Sequence, residues 1–374
     1  MPRRFRLFTK RFFIYTHFIV VFFFLLSCLV PFLNPQKWWW ITFLGLGFPI
    51  LLALVVLFMF FWLVAKPGYA VVSALALLIA FKNINVFFAF NSPDSFTYKK
   101  GPDTIRIASW NVARFIEMKR NNNKGSQIRL KMMELIQQQD ADILCFQEFF
   151  NSLDSAWYQN INYISENFNY PYWFYSHDVD GDQHFTGTII FSRYRIIDSG
   201  LVRYPRPTLP EALMHVDIKI NDDTIRVLST HLQSLQFGKS EYQRINEIKI
   251  GDSVLDNSKT IFSKVRQGSA LRSIQADMVK QLINDSPYPV LFGGDLNDVP
   301  NSYTYFTVRG DRQDAFLKKG FGIGRTFSGL SPTLRIDYIF AGKRFKVLQF
   351  TRLVKNLSDH YMVVADVKLK TPGP

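Results

Sequence analysis

Two long apolar runs near the N-terminus constrain this chain more than any other feature. Residues 12–32 are broken only by Thr16, His17 and Ser27 among apolar side chains, and residues 41–65 form a second run without a charge. A helix needs about 20 apolar residues to cross the hydrocarbon core of a bilayer, and both runs reach that length. A buried helix in a globular core is rarely so long and so uniformly apolar, so both read as membrane spans. Trp38, Trp39 and Trp40 lie between them, where an aromatic belt sits. A third run, 69–81, is interrupted by Lys82 and Asn83 and resumes over 86–90. We read it as a third span with Lys82 reaching toward the interface; the alternative is a helix lying in the interface plane. The first run has no small-x-small cleavage site, and Leu25-Leu26-Ser27-Cys28 is only a weak match to a lipoprotein processing site.

Charge sets the orientation. Residues 1–100 carry ten Lys/Arg and one acid, Asp94, whereas the remaining residues carry 34 basic and 29 acidic side chains. Most of the net charge of +14 therefore flanks the apolar runs, where positive charge reports topology. A strongly basic body would favour polyanions, and this body is only mildly basic. The basic start, Arg3, Arg4, Arg6, Lys10 and Arg11, belongs on the cytoplasmic side. Three spans then place the remainder of the chain outside, and two place it in the cytoplasm. The expectation is an integral protein of a bacterial inner membrane. Cys28 and Cys145 lie in different kinds of segment, one in a membrane run and one in a strand pattern, so no disulfide is expected.

Residues 91–103 are polar, with two prolines and a glycine, which is linker chemistry. We therefore divide the chain into a membrane anchor (1–90, spans 12–32, 41–65 and 69–90), a linker (91–103) and a soluble domain (104–374). In the soluble domain, short apolar or alternating segments predict strands over 105–110, 143–146, 188–192, 213–220, 224–230, 290–293, 336–340 and 362–367. Helical spacing marks 128–139 and 271–282. Such a pattern fits two packed sheets flanked by helices. Residues 238–268 have mixed charge and little apolar periodicity, and read as a solvated loop or a surface helix.

Several strands end in short polar clusters: Ser109-Trp110-Asn111, Gln147-Glu148, Ser229-Thr230-His231 and Gly293-Gly294-Asp295-Leu296-Asn297-Asp298; Arg335-Ile336-Asp337 opens a strand, and Ser358-Asp359-His360 precedes the last one. One carboxylate after a strand is usually a cap or a turn, and a single histidine is usually structural. Their joint occurrence is what points to chemistry. Asp295 and Asn297 are two apart and share a face if extended. Glu148 offers the hard oxygen ligation that Mg²⁺ prefers. Asp337 and Asp359 offer acids that could charge or orient the His360 imidazole. Of the other histidines, His17, His177, His184 and His215 lack a polar cluster of this kind. Thr326 and Ser328 follow the glycine-rich 320–324 and read as turn residues before phosphate ligands.

The ordered set SWNV, CFQE, STH, GGDLND, RIDYIF and SDH, with GTIIFSRYRII over 187–197, resembles the deoxyribonuclease-like endonuclease/exonuclease/phosphatase superfamily, in particular its membrane-anchored bacterial members. The match spans about 105–367. Arg195 and Met362 stand where proline is common, at positions without a chemical role. The resemblance implies a four-layer α/β sandwich, two packed mixed β-sheets flanked by helices, here preceded by an N-terminal bundle of two or three transmembrane helices. It implies that Asn111, Glu148 and Asp359 serve a metal and the scissile phosphate. It also implies that Asp295 activates or positions water, Asn297 contacts the phosphate, His231 assists the leaving group, and His360 acts with Asp337 as its orienting acid. The expected cofactor is Mg²⁺, with Mn²⁺ able to substitute.

The leading expectation is thus a membrane-anchored, divalent-metal-dependent phosphoesterase that cleaves phosphodiesters, or phosphomonoesters, in the manner of an endonuclease. The second is a lipid-headgroup phosphodiesterase of sphingomyelinase type. A non-catalytic membrane protein that binds with the same fold is the third, and it is disfavoured because every chemical position is filled. The expected partners are a phosphoester substrate (nucleic acid or phospholipid headgroup) and the bilayer, with no protein partner.

Overall fold

The computed structural model describes residues 3–92, 95–120, 127–207, 212–235 and 254–370. Its contacts divide the chain into two compact units. One is helical. It takes the chain up to Phe88, the first part of a long helix up to Ser273, and Val299–Phe306. The other holds the sheets and takes Ala89–Leu235, Ile274–Asp298 and the chain from Thr307 onward.

In the helical unit, α1 (Arg3–Ser27) and α2 (Ile41–Ala65) are long and apolar enough to cross a membrane. Pro67, which occupies a first-turn position where its missing N–H costs nothing, starts α3 (Pro67–Ile79), and α4 (Phe81–Phe87) follows after a 65° bend. The segment expected as a third span is therefore bent, in the manner of a broken span or a re-entrant loop. Aromatic contacts fix the order of the ends. Phe13 near the start of α1 stacks on Phe61 near the end of α2 at 5.1 Å, and Phe18 meets Tyr69 at the start of α3. At the other end, Phe24 stacks on Phe48, and Phe48 meets Phe87. The chain thus passes along this bundle three times, and its start and its exit at Phe88 lie at opposite ends. Cys28 is half-buried at the close of α1, and both it and Cys145 are free thiols.

The sheet unit is built on alternation. In β1 (Ile105–Asn111), Ile105 and Ile107 enter one apolar cluster while Ala108 and Trp110 enter another. One strand thus serves two cores through its two faces. Its sheet runs β11-β12-β1-β2-β4-β3, with β2 (Ile143–Gln147), β3 (Tyr172–Tyr175), β4 (Ile189–Ser192), β11 (Phe345–Leu353) and β12 (Met362–Leu369). The second sheet runs β9-β10-β8-β7-β6-β5, with β5 (Ile196–Arg203), β6 (Ala212–Ile220), β7 (Asp223–Thr230), β8 (Val290–Asp295), β9 (Gln313–Asp314) and β10 (Asp337–Ala341). Both sheets are mixed: β1 pairs parallel with β2 and β7 with β8, while the other pairs are antiparallel. Ile107, Ile143 and Cys145 of the first sheet pack with Val216, Val227, Leu291 and Ile339 of the second. The outer face of the first sheet carries α5 (Ile128–Gln138) and α6 (Asn160–Phe168), through Met132, Met133, Ile136, Ile161 and Ile164. This is the expected α/β sandwich.

Two segments differ from expectation. Residues 95–103, read as linker, are held down because Arg106 is fully buried: its guanidinium donates to the carbonyls of Thr97, Tyr98 and Gln139 and pairs with Asp366. A bidentate carboxylate and three carbonyls use the whole donor fork of the arginine. The other is α7 (Val254–Asn284), which begins well before the expected 271 and, over its described part, is the helix of the two readings given to 238–268. Residues 238–253 of that stretch lie outside the described residues.

Candidate active site

Alternation along the central strands delivers the site residues to one end of the space between the sheets. Ile105, Ile107, Ser109 and Asn111 follow one another on the inward face of β1, and Leu291, Gly293 and Asp295 do so on β8. Antiparallel register sets Asp337, the first residue of β10, directly opposite Asp295. His231, just past β7, pairs with Asp295 across a parallel bridge. Gly294 is required here, since a Cβ on it would lie 2.6 Å from the Thr230 carbonyl oxygen. The glycine thus admits a neighbouring backbone.

Asp295 is the hub and is wholly buried. Its Oδ1 accepts from the Asn297 backbone N–H at 2.8 Å, and its Oδ2 accepts from Asn111 Nδ2 at 3.2 Å. The same Oδ2 is 3.5 Å from His231 Nε2 and 3.7 Å from His360 Nδ1. Asn111 Nδ2 also donates to Glu148 Oε1 at 3.0 Å. His360 Nδ1 lies 3.0 and 3.1 Å from the two oxygens of Asp337. Trp110 fixes that histidine's backbone by donating Nε1–H to the His360 carbonyl at 2.9 Å.

Asn297 departs from the extended geometry expected of it. Strand β8 ends at Asp295, and Asn297 has φ 50°, in the left-handed region. Asparagine tolerates that region because its short side chain bonds locally. The two residues still meet, through a turn closed by the Asn297 N–H on the Asp295 side chain. The Asn297 amide also donates to the Leu232 carbonyl at 2.9 Å. Glu148, φ 49°, makes a similar turn after β2. Asp359 stands apart from the cluster: its side chain is exposed and accepts from Ser358 Oγ at 3.2 Å. Thr326 serves the turn, its Oγ1 accepting from the N–H groups of Ile336 and Asp337.

The crowding of charge shifts the titrations. Burial, and then the facing Asp337 carboxylate, push Asp295 up to about 6, against the opposing pull of both imidazoles. Burial alone would lower His360, but the carboxylates of Asp337 and Asp295 outweigh it and raise it to about 10. Burial works to raise Glu148, while His231, the Asn111 hydrogen bond and His360 outweigh it and hold the carboxyl below its usual range. His360 is thus an imidazolium at neutral pH, with Nδ1–H committed to Asp337.

Two groups of side chains suit a metal. Asp295, Asp337 and His360 bring ligand atoms within 4.8 Å of one another. A cation there would have to displace the contact that His360 Nδ1 makes with Asp337. Glu148 keeps a carboxylate that is 41% exposed, next to the Asn111 carboxamide. Oxygen donors with room for water match Mg²⁺.

Arg114 is a site neighbour that the sequence reading passed over. It lies on a turn of four residues with positive φ, Ala113 to Ile116, immediately beyond the end of β1. Its N–H donates to the Glu148 carbonyl at 2.9 Å, and its guanidinium pairs with Asp180 at 2.9 Å. One arginine after a strand carries no sequence signal. The strained turn is visible only in the backbone.

Two packed mixed sheets with carboxylates and imidazoles gathered where the inner strands end define a hydrolase-type α/β sandwich. The model of the Endonuclease/Exonuclease/phosphatase family matches residues 108–360, and the chain belongs to that family. Its members act on phosphoesters and use divalent metals. A second model, for a domain of unknown function, matches residues 10–87. No curated protein matches the chain. Among solved structures, the human Nocturnin catalytic domain with bound sulfate anion is similar at TM-score 0.51 and 17% identity, covering 72% of this chain and 95% of that one. An endonuclease/exonuclease/phosphatase from Beutenbergia cavernae matches at TM-score 0.48 and 16% identity, over 72% of each chain. A family protein from Bacteroides thetaiotaomicron matches at 0.48 and 17%, over 73% of this chain and all of the other.

Proposed function

We propose that this protein is a membrane-anchored, divalent-metal-dependent phosphodiesterase whose catalytic groups are Asp295, Asn297, His231 and His360, with Asp337 orienting His360. The observation that carries the reading is the convergence of two imidazoles and the Asn111 amide on one buried oxygen of Asp295. Glu148 and the Asn111 carboxamide would hold the metal; Asp359, the third member of the expected set, stands apart from them. A bound Mg²⁺ supplies relief of charge on the phosphoryl oxygens. The protein supplies the rest. The Asp295 carboxylate positions the attacking water and takes its proton. The Asn297 amide and the His360 imidazolium donate to oxygens whose charge grows in the transition state. His231 gives a proton to the leaving oxygen.

The path of the helical unit supports the membrane part of this reading. Three passes with a cytoplasmic basic start bring the chain out on the opposite side of the membrane. That favours an extracytoplasmic site over a cytoplasmic one. A reporter enzyme fused at the C-terminus reads the side directly; cytoplasmic activity would overturn the topology.

The test of the chemistry is hydrolysis of bis(4-nitrophenyl) phosphate by the full chain in detergent with Mg²⁺ or Mn²⁺. Wild type should turn over and lose activity to a chelator. Asp295→Asn and His360→Ala should each be nearly inactive, and wild-type rates in both would refute the assignment. The substrate is either nucleic acid or a lipid headgroup. Nucleic-acid binding should weaken steeply as salt rises. The anchor favours the lipid, and a lack of DNA cleavage with either metal would remove the nuclease reading.

A further inference from the structure

The helical unit holds more of the catalytic chain than a tether requires. Phe262 of α7 stacks on Phe43 at 4.2 Å and 7°, and meets Trp39 edge-on at 5.2 Å. Arg266 lies 5.2 Å above the Trp39 ring, and Thr42 Oγ1 bonds Ser269 Oγ at 3.1 Å. Asn301, which is 2% exposed, accepts from Asn83 Nδ2 at 2.7 Å and donates to the Ser27 carbonyl at 3.3 Å. On the α2 side the approach is closer still: a Cβ on Gly45 would run into the Asn301 carbonyl oxygen. One residue from the catalytic chain is thus held by α1, α2 and α4 together.

Both segments lead along the backbone into the proposed site. Asn301 follows Asn297 after only Asp298, Val299 and Pro300. Helix α7 continues to Gln275, whose Oε1 accepts from the Gln233 N–H at 2.8 Å. Leu232, next to Gln233, receives the Asn297 amide on its carbonyl and donates its N–H to the Asp295 carbonyl at 3.0 Å. The two lines meet at Asn297, a left-handed residue that its surroundings must hold in place.

We infer that Gly45, Asn83 and Asn301 are positioning residues for the Asn297 amide, so that the apolar helices form part of the catalytic machinery. The inference rests on the reading of Asn297 as the phosphate contact. A misplacement of about 1 Å in such a group can cost about a hundredfold in rate.

Two glycines on α2 make the test. Gly45→Ala must displace the Asn301 backbone, whereas a Cβ on Gly47 meets nothing within 4 Å. Alanine is the better helix former at both, so helix propensity alone predicts no loss from either. In the full chain in detergent with Mg²⁺ and bis(4-nitrophenyl) phosphate, Gly45→Ala should lower kcat about tenfold or more, with KM within about twofold. Gly47→Ala should change neither. Amide hydrogen exchange at 296–298 should be faster in Gly45→Ala than in Gly47→Ala, and this readout needs no substrate. If wild type does not hydrolyse the ester, the proposed function fails while the exchange comparison still decides the coupling. Equal kcat, or equal exchange in an inactive protein, overturns the inference. If Gly45→Ala does not fold, Asn83→Ala, which removes one hydrogen bond and adds no volume, takes its place under the same criteria. If neither folds, the contact is a folding element only and the inference fails.

Discussion

The helical unit and the strand-end site handle polar groups in opposite ways. In the helices polar side chains are few, and buried ones form pairs such as His17 with Ser73 and Asn83 with Asn301. In the site, two imidazoles lie within 4 Å of one buried oxygen of Asp295, and one of them also pairs with Asp337. The first arrangement minimises electrostatic cost in an apolar medium. The second accepts that cost and places charge where a reaction can use it. The contrast predicts that site substitutions change rate far more than stability, and that helix substitutions away from Asn301 do the reverse.

The largest effect should come from Asp295→Asn. Loss of the buried carboxylate proposed to position the attacking water should lower kcat about a thousandfold. The same change removes repulsion between two carboxylates placed opposite each other in register, so the thermal midpoint of the metal-free protein should hold or rise. A large fall in both rate and midpoint would show that the site is also a structural element, and the contrast would break.

Next is the buried pair outside the site. Asp366→Ala leaves the fully buried Arg106 guanidinium with its carbonyl partners only, and breaking such a pair costs about 3–5 kcal/mol. Denaturant unfolding should show that loss, with kcat per folded molecule unchanged. The stretch 95–103 should also become sensitive to protease, because Arg106 holds its carbonyls. A loss below about 1 kcal/mol would place this pair with the weak exposed ones.

Arg106 also marks a limit of the sequence. All eight strands expected from apolar pattern are present, and in the two six-stranded sheets the strands that the pattern misses, β3, β5, β9 and β11, are the four edges. An edge strand has fewer neighbours, so its apolar pattern is diluted by exposed positions, as in the largely exposed β5. The candidate site residues stood out in the sequence because each lies at one end of a buried strand, where a polar cluster beside an apolar run is conspicuous. The left-handed turns at Glu148 and Asn297 were not legible, because tertiary hydrogen bonds set them. The first part of α7 was legible only as one of two alternatives, since it shows little apolar periodicity. The interruption at Lys82 and Asn83 read as a charge reaching for the interface. In the structure Lys82 lies over the Phe306 ring and Asn83 bonds Asn301.

A smaller effect tests the sheet unit through pH. His215 on β6 covers Gly200 of β5, and its Nδ1 is buried without a hydrogen-bond partner. Burial, then the Arg226 charge, lower its pKa, against Asp217 and Asp198. A histidine whose folded pKa lies below the unfolded 6.5 contributes stability that is present above pH 6.5 and lost as pH falls through the folded value. The thermal midpoint should therefore drop on acidification below pH 6.5, and His215→Gln should flatten that drop. An equal slope in the two proteins would assign the acid limb to other groups.

The smallest effect should come from His17→Ala. His17 Nε2 and Ser73 Oγ are 2.8 Å apart and both side chains are fully buried, joining α1 to α3. Interhelical hydrogen bonds in apolar surroundings average about 0.6 kcal/mol and reach about 1.7, so the variant should lose no more than that in unfolding from detergent. His17 lies on neither chain path that leads to Asn297, so its kcat should equal that of wild type. This variant separates two ideas of the helical unit. If any loosening of the bundle lowers kcat, the bundle acts as a whole. If His17→Ala leaves kcat intact while Gly45→Ala lowers it, the influence passes through the one point where Asn301 is gripped.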